Sequence, residues 1–166
     1  MRKIERAVVV GAGTMGHGIA QVLAQAGIDT ALVDVTQDFV DRGLAHIKDN
    51  LEAGVAKGKV APQARDLALG NLSGSTDLES ALTTADLLVE AIPEDMKKKR
   101  ELFSIADARM HPAAILASNT SSLSIPEIAS ATKRPEHAVG LHFFNPVHIM
   151  KLPEIVRGTL TAPAIV

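Results

Sequence analysis

Val8-Val9-Val10-Gly11-Ala12-Gly13-Thr14-Met15-Gly16 opens the stretch that decides the fold, and Thr30-Ala31-Leu32-Val33-Asp34 closes it. The valines, preceded by Ala7, make a run short enough for a strand buried on both faces, and the run breaks at Gly11. The glycines spell G-x-G-x-x-G at the head of an apolar segment, Ile19-Ala20-Gln21-Val22-Leu23-Ala24-Gln25-Ala26, which Gly27 stops as a helix. The order is strand, tight turn, helix. A second strand then ends in an acid about twenty residues past the glycines.

Each residue type has a physical use. Gly11 permits a sharp turn, Gly13 lets the backbone approach a pyrophosphate with no Cβ in the way, and Gly16 lets the helix pack close against the strand. The amides of Gly13, Thr14 and Met15 at the helix start would face the phosphates, where the helix dipole favours negative charge. Asp34 suits both hydroxyls of an adenosine ribose and repels a 2′-phosphate, and Val35-Thr36-Gln37 offers no arginine to hold one. The cofactor expected is NAD rather than NADP. A G-x-G-x-x-G alone fits equally a helix start whose glycines serve packing only; the flanking strand, helix and spaced acid favour the dinucleotide.

At 166 residues the chain is long enough for one domain with a substantial core. That core is aliphatic, for there are four Phe and no Tyr or Trp. Seventeen Lys plus Arg against 19 Asp plus Glu leave a formal net charge of −2, which does not advertise nucleic-acid binding. No apolar run reaches the roughly 18 residues of a membrane span, and Met1-Arg2-Lys3 leads into a strand rather than a signal peptide. The expectation is a soluble, cytoplasmic protein with no nucleic-acid or membrane partner. Without cysteine there is neither disulfide nor thiolate chemistry, and no residues are assigned to a metal.

After Asp34, Thr36 is placed to cap a helix over 37–57, with Phe39, Val40, Leu44, Ile47, Leu51 and Val55 at helical spacing. Gly54, Gly58 and Pro62 interrupt it, so 60–69 reads as a second helical arm folded back on the first. Lys57 and Lys59 near the tip suit either a solvated turn or a contact to a phosphorylated ligand. A short strand over 71–74 precedes Thr76-Asp77-Leu78-Glu79, whose Thr and Glu have capping-box spacing. Asp86-Leu87-Leu88-Val89-Glu90-Ala91-Ile92 is a buried strand ended by Pro93. Ligands of doubly wound sheets gather at the carboxyl ends of strands, which puts Ala91, Ile92 and Glu94 on the cofactor side.

Lys97-Lys98-Lys99-Arg100 opens the next helix. Four cations in a row usually form a solvated face, but at a helix start they oppose the dipole, and one of them is a candidate for an anionic or hydroxyl partner. Ala113-Ala114-Ile115-Leu116-Ala117 is a strand, followed by the polar cluster Ser118-Asn119-Thr120-Ser121-Ser122. Ser124 and Glu127 form a capping box, with Pro126 in the first turn, for a short helix over 125–131. His137-Ala138-Val139-Gly140-Leu141-His142 is the next strand, and 152–156 is a last one bearing Glu154. The alternation predicts a Rossmann-type, doubly wound α/β fold: a mostly parallel sheet, helices on both faces, and a helical-arm insertion after the second strand.

Right-handed winding brings Ser121, His142 and Asn145 to one carboxyl edge. A histidine at the end of a buried strand is often structural. Glu154, twelve residues later on a strand that can turn back beside the first, favours another role. A carboxylate on one imidazole nitrogen fixes the tautomer and leaves the other as a general base.

Gly11-Ala12-Gly13-Thr14-Met15-Gly16, Val89-Glu90-Ala91-Ile92-Pro93-Glu94-Asp95, Ser118-Asn119-Thr120-Ser121-Ser122-Leu123 and Gly140-Leu141-His142-Phe143-Phe144-Asn145-Pro146-Val147 together resemble the NAD-binding domain of the L-3-hydroxyacyl-CoA dehydrogenase family, in order and over essentially the whole chain. The last two motifs are far more specific than the glycine turn. The resemblance implies hydride transfer from C3 of a 3-hydroxyacyl-CoA to NAD, with His142 taking the hydroxyl proton and Glu154 orienting it. It also implies that Ser121 and Asn145 lie by the nicotinamide and the substrate oxygen. Glu94 and Lys99 would contact the cofactor on its nicotinamide-ribose side, and Lys57 a CoA phosphate.

Members of that family continue into an all-helical domain that supplies another active-site asparagine, much of the acyl pocket and most of the dimer contact. Residues 1–166 correspond to the NAD-binding domain alone. The resemblance therefore implies NAD binding with weak or undetectable turnover by this chain, exposed apolar surface where those helices dock with self-association as its consequence, and a homo-oligomer for the longer form. Two other readings stay open: a non-catalytic NAD-binding module, and a related dehydrogenase for another small hydroxy acid, because fold alone does not fix substrate.

Overall fold

The computed structural model describes residues 3–150 and 152–166; Met1 and Arg2, part of the reading against a signal peptide, and Lys151 lie outside the described residues. Strands β1 (Arg6–Val10), β2 (Asp29–Val33), β3 (Leu72–Ser75), β4 (Leu87–Glu90), β5 (Ile115–Ser118), β6 (Ala138–His142) and β7 (Glu154–Val156) form one sheet in the order β3-β2-β1-β4-β5-β6-β7. The first six are parallel, and β7 runs antiparallel to β6. Helices α1 (Thr14–Gln25), α2 (Gln37–Ala56) and α3 (Pro62–Gly70) pack on one face; α4 (Leu78–Leu82), α5 (Met96–Arg109) and α6 (Ile125–Ala129) pack on the other. This is the doubly wound fold expected from the alternation.

Strand geometry explains the two layers. Successive side chains point to opposite faces, so Val9, Val89 and Ala117 join Ile19 and Ile47 on one side while Val8, Leu88 and Leu116 join Phe103 and Ile128 on the other. Each fully buried aliphatic contributes about 1.5 to 3 kcal/mol over exposure, so strands apolar on both faces require helices on both.

The parallel register sets the working edge. Val10 pairs with Val33 and with Glu90, and Glu90 pairs with Ser118, so the carboxyl ends of β1, β2, β4 and β5 stand level. His142 lies two residues beyond Gly140, the partner of Ser118. The chain leaves β1 toward β2 and β3 on one side and returns to β4 on the other, which opens a crevice at this edge.

Local details differ from expectation where side-chain reach decides. The cap of α4 is Asp77, whose carboxylate accepts from Ser80 N at 3.0 Å, rather than Thr76. Asp95 caps α5, accepting from Lys97 N at 2.9 Å and Lys98 N at 3.2 Å, so that helix begins one residue before the cation run. Thr36 caps α2 as expected, accepting from Phe39 N at 3.3 Å. The last strand begins at Glu154 rather than 152, and α6 ends at Ala129 rather than 131. Around β7, Phe144, Ile149, Met150, Leu152, Ile155 and Val156 are between 37% and 83% exposed, an apolar surface at this end of the sheet. No helix among the described residues is long and apolar enough to cross a membrane.

Candidate active site

The glycine turn is held by contacts no side chain would permit. Gly11 has φ +103°, its N–H donates to the Val33 carbonyl at 2.8 Å, and a Cβ there would lie 2.5 Å from the Ala91 carbonyl oxygen. A Cβ on Gly16 would lie 1.6 Å from the Gly11 carbonyl oxygen. Gly13 is different: a Cβ would meet nothing within 4 Å, so its open side faces the crevice. No side chain caps α1 and no acid sits in its first turn, which leaves the amide groups at its start available to an anion.

Asp34, just past β2, accepts from Ala12 N at 2.7 Å through Oδ2 and from Val35 N at 2.6 Å through Oδ1. It is thereby locked against the glycine turn, with the remaining lone pairs of both oxygens available to hydroxyl donors. The cleft beside it, about 680 Å³, is lined among others by Gly13, Met15, Asp34, Phe39, Ile92 and Lys98. Phe39 is a cleft residue that sequence reasoning misses, and Lys98 is marked there only as one of four cations of which one is a candidate for an anionic partner. Helical spacing puts Phe39 in the apolar stripe of α2, yet it is 45% exposed while Val40, Ile47 and Leu51 fill the core.

Across the edge, His142 and Glu154 stand directly opposite in the β6–β7 pair, with Nδ1 3.2 Å from Oε2. A carboxylate there keeps the proton on Nδ1 and leaves Nε2 as the acceptor. Phe144 meets the imidazole edge-on with ring centres 4.8 Å apart. Ser121 and Asn145 occupy the loops after β5 and β6 on this same edge, both exposed, and no hydrogen bond among the described residues joins either side chain to His142. Asn119, also missed, accepts from Phe143 N at 2.8 Å and ties the β5 loop to the end of β6.

Glu94 accepts from the Thr120 hydroxyl, from the Ser122 hydroxyl at 3.2 Å and from Lys99 Nζ at 3.1 Å. Burial pushes its carboxyl pKa up, but the Thr120 hydroxyl, the Lys99 ammonium and the Ser122 hydroxyl together outweigh burial and hold it below the usual value. Glu94 is therefore a carboxylate at neutral pH. Lys99 lies beneath the cleft rather than in it: its side chain is 1% exposed, and Nζ also reaches Glu90 Oε1 at 2.6 Å and the Ile92 carbonyl at 3.3 Å. An ammonium has three protons, and here all three have acceptors within the chain.

The family model for the NAD-binding domain of 3-hydroxyacyl-CoA dehydrogenase matches residues 6–166. The chain belongs to the 3-hydroxyacyl-CoA dehydrogenase family. It is 46% identical over 154 residues to the 3-hydroxybutyryl-CoA dehydrogenase of Clostridioides difficile, covering 93% of this chain and 54% of that protein. Among solved structures, Mycobacterium tuberculosis FadB2 superposes with a TM-score of 0.93 at 44% identity, over 99% of this chain and 57% of that one. The (S)-3-hydroxybutyryl-CoA dehydrogenase PaaH1 of Ralstonia eutropha gives a TM-score of 0.93 at 36% identity, over 98% and 57%. This chain spans just over half the length of these relatives.

The cofactor of the 3-hydroxyacyl-CoA dehydrogenase domain is NAD, and the residues present fit it. Gly13 leaves open the place a Cβ would fill, the start of α1 carries no competing acid, and Asp34 keeps acceptor capacity. Lys57, at the end of α2, lies elsewhere. With Gln21, Asn50, Lys59 and His148 it lines a separate hollow of about 390 Å³ between α1, the helical arm and the loop after β6.

Proposed function

We propose that the protein carrying this chain oxidises a 3-hydroxyacyl-CoA to the 3-oxoacyl-CoA, and catalyses the reverse, with a short 3-hydroxybutyryl chain as the simplest substrate. The observation that carries the reading is the His142–Glu154 pair, 3.2 Å apart on the same sheet edge as the glycine turn. His142 Nε2 takes the proton of the 3-hydroxyl, and Glu154 holds Nδ1–H and balances the imidazolium charge. In the reverse direction His142 returns that proton to the nascent alkoxide. NAD, when bound, supplies the hydride acceptor. Ser121 and Asn145 lie by the nicotinamide and the substrate oxygen, Gly11, Gly13, Thr14, Met15 and Gly16 cradle the pyrophosphate, and Asp34 takes the adenosine ribose.

Glu94 serves the nicotinamide ribose, between Ala91 and Ile92 on one side and the serine loop on the other. Lys57 meets a CoA phosphate in the hollow beside the helical arm. A helical domain beyond this chain completes the acyl pocket on the exposed apolar surface around β7, in a cytoplasmic homo-oligomer. The test is NADH oxidation by this chain, with and without an added C-terminal helical domain, followed at 340 nm with acetoacetyl-CoA or free acetoacetate as acceptor; the outcomes are read with that domain present. The thioester is expected to be the better substrate by at least about tenfold in kcat/KM, the worth of one charge-assisted contact. Equal rates would favour a dehydrogenase for small hydroxy acids, and no oxidation with either a non-catalytic NAD module.

A further inference from the structure

Beneath the loops that carry the site lies a charged layer the proposed chemistry does not use. Glu90, the last residue of β4, is fully buried, and Lys99 on α5 nearly so. Taking two charges out of water is costly and is offset only by close geometry with full hydrogen bonding. That geometry is present. Glu90 Oε1 accepts from Lys99 Nζ at 2.6 Å and from Ile92 N at 2.8 Å, and Oε2 accepts from the Ser118 hydroxyl at 2.6 Å.

The layer reaches three strand ends. The Ser118 oxygen accepts from Thr120 N at 3.3 Å, and the Glu90 carbonyl accepts from Asn119 N at 2.8 Å. Asn119 in turn holds Phe143 N, next to His142. One carboxylate residue thus ties together the ends of β4, β5 and β6, which carry Glu94, Ser121 and His142.

Packing alone is a poor account of it, because an apolar pair of the same shape would fill the space without desolvating two charges. What an apolar pair could not do is aim Glu94. Lys99 reaches past Glu90 to Glu94 Oε2, while Thr120 and Ser122 hold Oε1. A carboxylate offers about four lone-pair sites. Three donors come from the chain, and the Glu94 side chain is still 39% exposed, so acceptor capacity remains toward the cleft.

We propose that Glu90 and Lys99 are positioning residues for the nicotinamide half of the cofactor: they hold Glu94 oriented toward the nicotinamide-ribose hydroxyls and fix the 118–122 loop beside His142. The inference rests on the reading of the cleft as the NAD site.

The experiment compares binding of NADH with binding of ADP, which shares the adenosine and pyrophosphate but lacks the second ribose and nicotinamide. The variants are Glu90→Gln and the double variant Glu90→Gln/Lys99→Met, which removes both charges and so leaves no lone buried ion. NADH Kd is expected to rise about tenfold, the loss of one hydrogen bond to a charged group, with ADP Kd within about twofold of wild type. The fluorescence enhancement of bound NADH should fall in parallel. Ser118→Ala keeps the ion pair and guards against unfolding; it should show the same selectivity at about threefold. Equal losses for both ligands, or unchanged NADH affinity, would overturn the inference. A wild-type protein that binds neither ligand would instead overturn the cofactor reading, and this inference with it.

Discussion

Replacing His142 by Gln should lower kcat for NADH-dependent reduction of acetoacetyl-CoA by about 10² to 10⁴, the usual worth of a positioned proton-transfer group. NADH affinity should stay within about threefold, because only the proton-transfer group is altered. Gln preserves much of the side-chain volume and can still donate to Glu154, so β6 and β7 keep their pairing. What it lacks is a titratable nitrogen. The split between kcat and Kd separates a base from a structural histidine: a structural residue would disturb stability and cofactor binding together. A variant with unchanged kcat would remove His142 from the chemistry.

Gly16→Ala should be the most damaging single methyl in the domain. Alanine improves helix propensity by about 1 kcal/mol over glycine. Against that, the new Cβ would lie 1.6 Å from the Gly11 carbonyl oxygen and 2.8 Å from its carbon, backbone atoms that cannot rotate aside. Overpacking of this kind costs about 3 kcal/mol or more, so a net loss of about 2 kcal/mol is expected. In a domain of this size that lowers Tm by about 4 to 8 °C. Gly13→Ala is the contrasting control. Its φ of −71° suits alanine and its Cβ meets nothing, so Tm should hold while NAD binding weakens, since the methyl enters the space a pyrophosphate needs. A Gly16→Ala protein that melts with wild type would contradict the packing role of the third glycine.

Much of the site is legible in the chain because its signals are local. The glycine turn, Asp34 and the His142–Glu154 spacing each lie within one strand–turn unit, where the period of the strand fixes which side chains meet. Glu90 and the burial of Lys99 are harder to read. An acid at the end of an apolar strand reads as the strand's exit, and one lysine among four cations carries no mark of its own in the spacing, so only the family resemblance singles out Lys99. A signal was present nonetheless: Lys99, Leu102, Phe103 and Ala106 share a helical face, and these are the buried residues of α5. Phe39 failed for the converse reason. It falls on the apolar stripe of α2, but it stands in the first turn, where that stripe runs past the sheet and into the crevice. Thr76 lost its cap to Asp77 because α4 begins at Leu78, one residue later than the capping box requires.

The most direct measurement is a crystal structure of the protein bound to NAD and acetoacetyl-CoA. The expected result has His142 Nε2 within about 3 Å of the C3 oxygen, and the nicotinamide C4 facing C3 from the side of the glycine turn. A thioester whose C3 lies beyond reach of His142, or a nicotinamide turned away from β6, would contradict the dehydrogenase assignment.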